Sequence, residues 1–142
     1  MIKNIVIVDD TDFKRESIKN YMQEIFSDEA EVYEFDYINS ALRFVAYEHK
    51  DAIKKNPNEW LIITDMVMPQ LQDTRLLPNG GMIVLSELDR KDFKCPVIIA
   101  SSMKLSLDDC RDEYEYVLGT VEESPMIYNL SRYEDLLKDY ID

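Results

Sequence analysis

The sequence is poor in the residues that build soft metal sites. Its 142 residues include one histidine, His49, and two cysteines, Cys95 and Cys110, whose spacing fits no Cys/His zinc set. Two such thiols point to a reducing compartment. Positive charge is also scarce: 16 Lys and Arg stand against 29 Asp and Glu, for a formal net charge of -13. A chain so acidic repels nucleic-acid phosphates and anionic membrane surfaces, which argues against direct nucleic-acid or membrane binding. Long apolar runs are missing as well. The opening MIKNIVIVDD meets two aspartates after a run too short for a signal sequence, with no small-residue cleavage site, and no stretch approaches a membrane span. The expectation is a soluble cytoplasmic protein without internal repeat, low-complexity tract or linker.

What is present is a core. At this length, with 46% hydrophobic residues, one domain over 1–142 can bury its interior without disulfides. Asn4 to Val8 is a β-branched run bounded by charge, the pattern of a strand covered on both faces. From Asp12, a candidate cap, the residues Phe13, Ile18, Tyr21, Met22, Ile25 and Phe26 recur at helical spacing. Glu31 to Phe35 reads as a second strand. Ser40 opens a long amphipathic helix carrying Ala41, Leu42, Val45, Ala46 and Ile53, which stops before Asn56-Pro57-Asn58.

Trp60 to Thr64 is a third strand, with Asp65 at its end. Met66 to Gly81, with Pro69, Pro78 and Gly80-Gly81, is a loop long enough to suggest function. Met82, Val84, Leu85 and Leu88 predict a helix and Val97 to Ala100 a fourth strand ending at Ser101-Ser102. A short helix within Leu105 to Glu115, a strand over Tyr116 to Val121, a loop and a helix over Leu130 to Ile141 close the chain. Five strand-then-helix repeats imply an α/β fold: a five-stranded parallel sheet, right-handed crossovers and helices on both faces.

Asp9, Asp10 and Asp65 each follow an apolar strand directly, so the topology gathers them at the carboxyl edge of the sheet, where such folds place ligands. One aspartate at a strand end is ordinarily a solvated turn former, and Asp65 alone would be read so. A doublet after strand one together with a single aspartate after strand three is different, because like charges held close need a cation. Hard oxygens with no soft ligand available favour Mg2+.

The phrases Ile-Val-Ile-Val-Asp9-Asp10, Ile-Ile-Thr-Asp65-Met-Val-Met-Pro69 and Pro96-Val-Ile-Ile-Ala-Ser101-Ser102 resemble, in order, the receiver domain of two-component response regulators, and the match spans nearly the whole chain. The resemblance implies the flavodoxin-like (βα)5 receiver fold. It implies that Asp65 is the phosphoacceptor, that Asp9, Asp10, Asp65 and the Val67 backbone carbonyl hold Mg2+, and that Ser101 is the switch hydroxyl. Chemically, the metal would offset charge on the transferring phosphoryl group while Asp65 attacks in line. Ser101 would then hydrogen-bond the new phosphoryl oxygens and draw its loop inward.

The sequence leaves the pattern after strand five. There the family carries a lysine before a proline, whereas this chain reads Glu122-Glu123-Ser124-Pro125, with Ser124 in the lysine position. Serine supplies no charge, and the two glutamates add negative charge. A shifted register, in which Tyr116-Val-Leu-Gly119 ends the strand, restores no lysine. Candidate replacement cations are Lys104, three residues past Ser101, and Arg75, whose guanidinium can bind phosphate in a bidentate way; ordinary exposure would leave either in water. The aromatic switch position falls on Val121, or on Tyr116 in the shifted register. Gln70 to Asn79 reads as an insertion beside the site. Tyr114, Tyr116, Tyr128, Tyr133 and Tyr140 suit either a contact surface or a half-buried core, and the core is the plainer account.

Three functions compete. The first is a stand-alone receiver, phosphorylated at Asp65 by a histidine kinase or phosphotransfer protein, with no output domain after Asp142, acting through protein contacts and at most weakly dephosphorylating itself. The second is a pseudo-receiver that binds a partner without phosphorylation. The third is a haloacid-dehalogenase-like phosphatase using Asp10 and Asp12, supported by Asp10-Thr11-Asp12 and by Lys104 and Asp108-Asp109 as later motifs. It is weakened by Lys14 where Thr or Val is expected, and it leaves Asp65 to Pro69 unexplained. By analogy, the last strand and helix form the face expected for a downstream protein or for a homodimer.

Overall fold

The computed structural model describes residues 1–141. Five parallel strands, β1 (Asn4–Val8), β2 (Glu31–Phe35), β3 (Trp60–Thr64), β6 (Val97–Ser101) and β7 (Val117–Glu122), form one sheet in the order β2-β1-β3-β6-β7. A two-stranded antiparallel hairpin, β4 (Met68–Pro69) with β5 (Leu76–Leu77), stands apart from it. The helices are α1 (Asp12–Phe26), α2 (Ile38–Arg43), α3 (Lys50–Lys55), α4 (Gly80–Arg90), α5 (Leu107–Glu113) and α6 (Leu130–Leu137). Among the described residues no helix is long and apolar enough to cross a membrane.

Strand alternation explains how one short apolar run serves two cores. Ile5 and Ile7 of β1 point into a cluster with Ile18, Met22 and Phe26 of α1 and Tyr133 and Leu137 of α6. Val6 and Val8 point the other way, to Ile38 and Ala41 of α2 and Val84, Leu85 and Leu88 of α4. The central strand β3 is buried along its whole length, which is why its sequence, Trp-Leu-Ile-Ile-Thr, lacks the polar alternation of a half-exposed strand.

The strand bounds expected for β1, β2 and β3 hold, while four other expectations change. The long helix starts at Ile38 rather than Ser40 and is interrupted: Phe44–Glu48 opens into a wider turn, closed by the His49 N–H on the Phe44 carbonyl at 2.9 Å, before α3 resumes. Aromatic packing accompanies that break, since the Phe44 ring lies 4.0 Å from His49 and 4.7 Å from Tyr33, centre to centre. His49 is thereby accounted for as a packed ring with Nδ1 3.1 Å from the Phe44 carbonyl. Asp12 does not cap α1; it is the first helical residue and pairs with Arg15, while Thr11 holds the cap position without a side-chain bond. The loop after Asp65 contains the β4–β5 hairpin, and the closing helix ends at Leu137, followed by a single tighter turn.

Candidate functional site

The strand order reverses between β1 and β3, and the crevice at their carboxyl ends is where a parallel sheet of this order offers a ligand site. Asp9 and Asp65 stand there side by side. The Asp9 amide donates to the Phe35 carbonyl at 3.0 Å and the Asp65 amide to the Val8 carbonyl at 2.9 Å, so sheet pairing continues past the strands and fixes both backbones. Both residues are buried, at 1% and 6% exposure, and Asp10 is half-buried beside them.

One carboxylate oxygen from each of Asp9, Asp10 and Asp65 lies within 4.8 Å of the others. Asp9 Oδ1 accepts from the Thr11 N–H at 2.8 Å, and Asp65 Oδ1 accepts from the Met66 N–H at 2.7 Å. Behind Asp65, the chain passes so close to α4 that a Cβ on Gly81 would meet the Asp65 carbonyl at 2.7 Å; only glycine fits there. Gly81 also donates its N–H to the Met66 carbonyl at 2.8 Å.

A fourth group completes the cluster. Lys14, in the first turn of α1 and only 8% exposed, extends its Nζ to 2.9 Å from Asp9 Oδ2 and 2.9 Å from Asp65 Oδ2. The contact to Asp65 is a hydrogen bond, whereas Asp9 Oδ2 has the ion pair but no hydrogen bond of good alignment. Electrostatics follow from burial. Desolvation is the main influence on Asp9 and, against the pull of Lys14, leaves its pKa at about 6 instead of 3.8. Desolvation likewise raises Asp10. For Lys14, burial by itself disfavours the ammonium, but the charge of Asp9 and the bond to Asp65 outweigh it and hold the group above its ordinary value.

The acidic donor set fits a divalent cation. It offers hard oxygens only, and one of them, Asp9 Oδ2, is buried without a hydrogen bond.

The other expected residues fall at varied distances from this chemistry. Ser101 ends β6, buried, with its Oγ accepting from the Met103 N–H at 3.2 Å, which leaves the hydroxyl proton free. Val67 is half-buried two residues past Asp65. Ser124 is half-buried and its Oγ accepts from the Met126 N–H at 3.2 Å. Lys104 and Arg75 are exposed, and among the described residues neither forms an ion pair with the three aspartates. The cation in the pocket is Lys14 instead. Asp12 is also exposed and turned to Arg15, apart from the carboxylate cluster. Val121 is buried in the core.

Two residues of consequence carried faint signals in sequence. Lys14 lies four positions before Ile18 and eight before Met22, on the apolar stripe of α1, where a lysine needs a buried partner. Glu123 continues the buried alternation of Val117, Gly119 and Val121 by one step beyond β7. Instead of adding charge at the surface, its carboxylate turns inward: Oε1 accepts from the Tyr133 hydroxyl at 2.8 Å and from Asn129 Nδ2 at 3.1 Å. The Glu123 N–H donates to the Ser101 carbonyl at 2.7 Å, tying this network to the end of β6.

No family model matches the sequence, and no curated protein matches it either. Similarity appears in three dimensions. A response regulator receiver domain from Rhodospirillum rubrum superimposes with a TM-score of 0.69 at 17% identity, covering 98% of this chain and 95% of that one. A response regulator receiver domain from Clostridium thermocellum gives 0.64 at 22% identity, with 99% and 94% covered. The receiver domain of the histidine kinase CKI1 from Arabidopsis thaliana, complexed with Mg2+ and BeF3-, gives 0.65 at 17% identity, with 97% and 89% covered. The chain has the fold of response regulator receiver domains, a five-stranded parallel sheet between two layers of helices.

Proposed function

We propose that this chain is a signalling receiver whose Asp65 accepts a phosphoryl group from a histidine kinase, a phosphotransfer protein or a small acyl phosphate. The observation that carries the reading is the convergence of Asp9, Asp10 and Asp65, from two strand ends, on one crevice of a receiver-type sheet. Support for a metal comes from the same oxygens and from the Mg2+ in the CKI1 receiver.

In the proposed reaction the Asp65 carboxylate attacks phosphorus in line, and a new O–P bond forms as the donor's P–N or P–O bond breaks. The leaving imidazole or carboxylate keeps the bonding electron pair, and an imidazole takes its proton from solvent. Met66 N–H holds Asp65 Oδ1, and Oδ2, which accepts from Lys14 Nζ, is the oxygen that meets the incoming group. A divalent cation, best Mg2+, held by Asp9, Asp10, Asp65 and the Val67 carbonyl would offset charge on the phosphoryl oxygens. Ser101 then donates its free hydroxyl proton to a phosphoryl oxygen and draws the Ser101–Leu105 loop inward, so that a new charge becomes a new surface for a downstream protein. The module works as a phosphoacceptor in the cytoplasm through protein contacts, and its role in catalysis ends with its own dephosphorylation.

The test is incubation with phosphoramidate or acetyl phosphate, with and without Mg2+, read by intact mass. A Mg2+-dependent gain of one phosphoryl group, lost in Asp65→Asn, is the expected result. The uncharged Ser124 favours a second reading, a pseudo-receiver that binds its partner without phosphorylation. That reading predicts Mg2+ binding with no mass gain.

A further inference from the structure

The acidic crevice contains a cation of its own. Three carboxylates meet there, and among the described residues the one ammonium that pairs with them comes from a helix, not from the loop after the last strand. Lys14 Nζ is equidistant, at 2.9 Å, from Asp9 Oδ2 and Asp65 Oδ2, and its side chain is almost wholly shielded from water. A surface lysine spends its time in solvent; one buried on the Ile18 and Met22 side of α1 and bridging two carboxylates is fixed in place. Ser124, by contrast, carries no charge, and its Oγ accepts from the Met126 N–H.

We propose that Lys14 is the charge-pairing lysine of this site: it bridges Asp9 and Asp65 at rest and pairs with the phosphoryl oxygens once Asp65 is modified, the task for which Ser124 is unequipped. The proposal rests on the receiver reading and adds the residue that makes that reading workable without a lysine after β7. When Asp65 Oδ2 bonds to phosphorus, its own negative charge is lost and the phosphoryl oxygens bring new charge beside Lys14. The ammonium exchanges a carboxylate partner for a phosphoryl partner with no proton transfer and no change in its own charge. Because Lys14 belongs to α1, that exchange acts on a helix that also packs against α6 through Tyr21 and Tyr133, whose rings lie 5.4 Å apart. Lys14 and a divalent cation also share carboxylates, so each weakens the other's hold on them.

The experiment compares wild type, Lys14→Met, Lys14→Arg and the double variant Lys14→Met/Ser124→Lys. Phosphoryl uptake from phosphoramidate is followed by intact mass, Mg2+ affinity by titration calorimetry, and folding by thermal melts. Lys14→Met is expected to slow uptake by on the order of a hundredfold to a thousandfold, the usual cost of losing one preorganised donor at a developing anion. The same variant is expected to bind Mg2+ roughly tenfold more tightly, since a competing charge a few ångströms away has gone. Lys14→Arg keeps the charge and falls between. The double variant, with a lysine returned to the strand-end position, regains uptake, a result that a purely structural role for Lys14 does not produce. Uptake by folded Lys14→Met within twofold of wild type overturns the proposal, as does Mg2+ affinity that falls when the lysine is removed. If the wild type takes up no phosphoryl group at all, the receiver reading fails and this proposal fails with it; the two failures are therefore told apart by the wild-type trace.

Discussion

Asp9→Asn should flatten the pH dependence of stability between pH 4 and pH 7. Burial raises the Asp9 pKa from 3.8 to about 6, so the folded protein holds this proton more tightly than the unfolded chain does. Between those two values the native state carries more protons than the denatured state, and stability must fall as pH rises. The favourable contribution is complete below about pH 4 and gone above about pH 6. The gap corresponds to about 3 kcal/mol, taking about 1.4 kcal/mol for each tenfold change in proton affinity. Asparagine cannot titrate, and the variant lacks this contribution at every pH. Its amide also alters contacts with Thr11 and Lys14, but that change is a constant offset. Asp10 is raised in both proteins and largely cancels from the comparison. Urea titrations of both proteins at half-unit pH steps therefore give a difference in unfolding free energy whose slope is the observable. It should move by about 3 kcal/mol in favour of the variant between pH 4 and pH 7. A flat difference, or one that favours wild type as pH rises, refutes the claim that desolvation dominates Lys14 at Asp9. Adding Mg2+ at pH 7 should stabilise wild type more than the variant, because a ligand selective for the native state stabilises in proportion to its affinity.

Three further outcomes follow from contacts elsewhere. Gly81→Ala sets a methyl group 2.7 Å from the Asp65 carbonyl and should cost about 1–3 kcal/mol in urea denaturation while slowing phosphoryl uptake at Asp65. Tyr133→Phe removes one of two donors to the buried Glu123 carboxylate and should cost about 1–3 kcal/mol, with the loss shrinking when Glu123 is also changed to Gln. Cys95 and Cys110 are buried, and burial pushes the Cys95 thiol up to about 12. Both should react with a thiol reagent only at the rate at which the protein opens; fast labelling of Cys95 in the native state would contradict its packing.

The sequence was most legible where one physical signal dominated. β1 and β3 are short, β-branched and bounded by charge, and their limits were readable because full burial on both faces tolerates little else. The aspartates at their ends were readable for the same reason, since topology places strand ends together whatever the intervening chain does. The α2 region failed where two signals competed. Its apolar spacing is helical throughout, but Phe44 and His49 pack with Tyr33 and Trp60, and the helix opens into a wider turn across that cluster. Nothing local in the residue pattern marks a break decided by aromatic contacts from β2 and β3.

The replacement cation was missed for a related reason. The loops after Asp65 and after Ser101 offer Arg75 and Lys104 as candidates, whereas the field at a carboxylate depends on distance in space, which sequence does not give. β1 runs directly into α1, so a residue in the first turn of that helix can reach Asp9 and Asp65, as Lys14 does at 2.9 Å from each. Any position on that first turn facing the sheet can supply the charge, provided that its long side chain is shielded and the partners stay ionised. Lys14 meets the first condition, being 8% exposed with its Nζ 2.9 Å from both Asp9 and Asp65. An exchange of Lys14 for methionine and of Ser124 for lysine moves one charge between two secondary-structure elements without altering the count, which is why uptake in that double variant separates a requirement for charge from a requirement for its address.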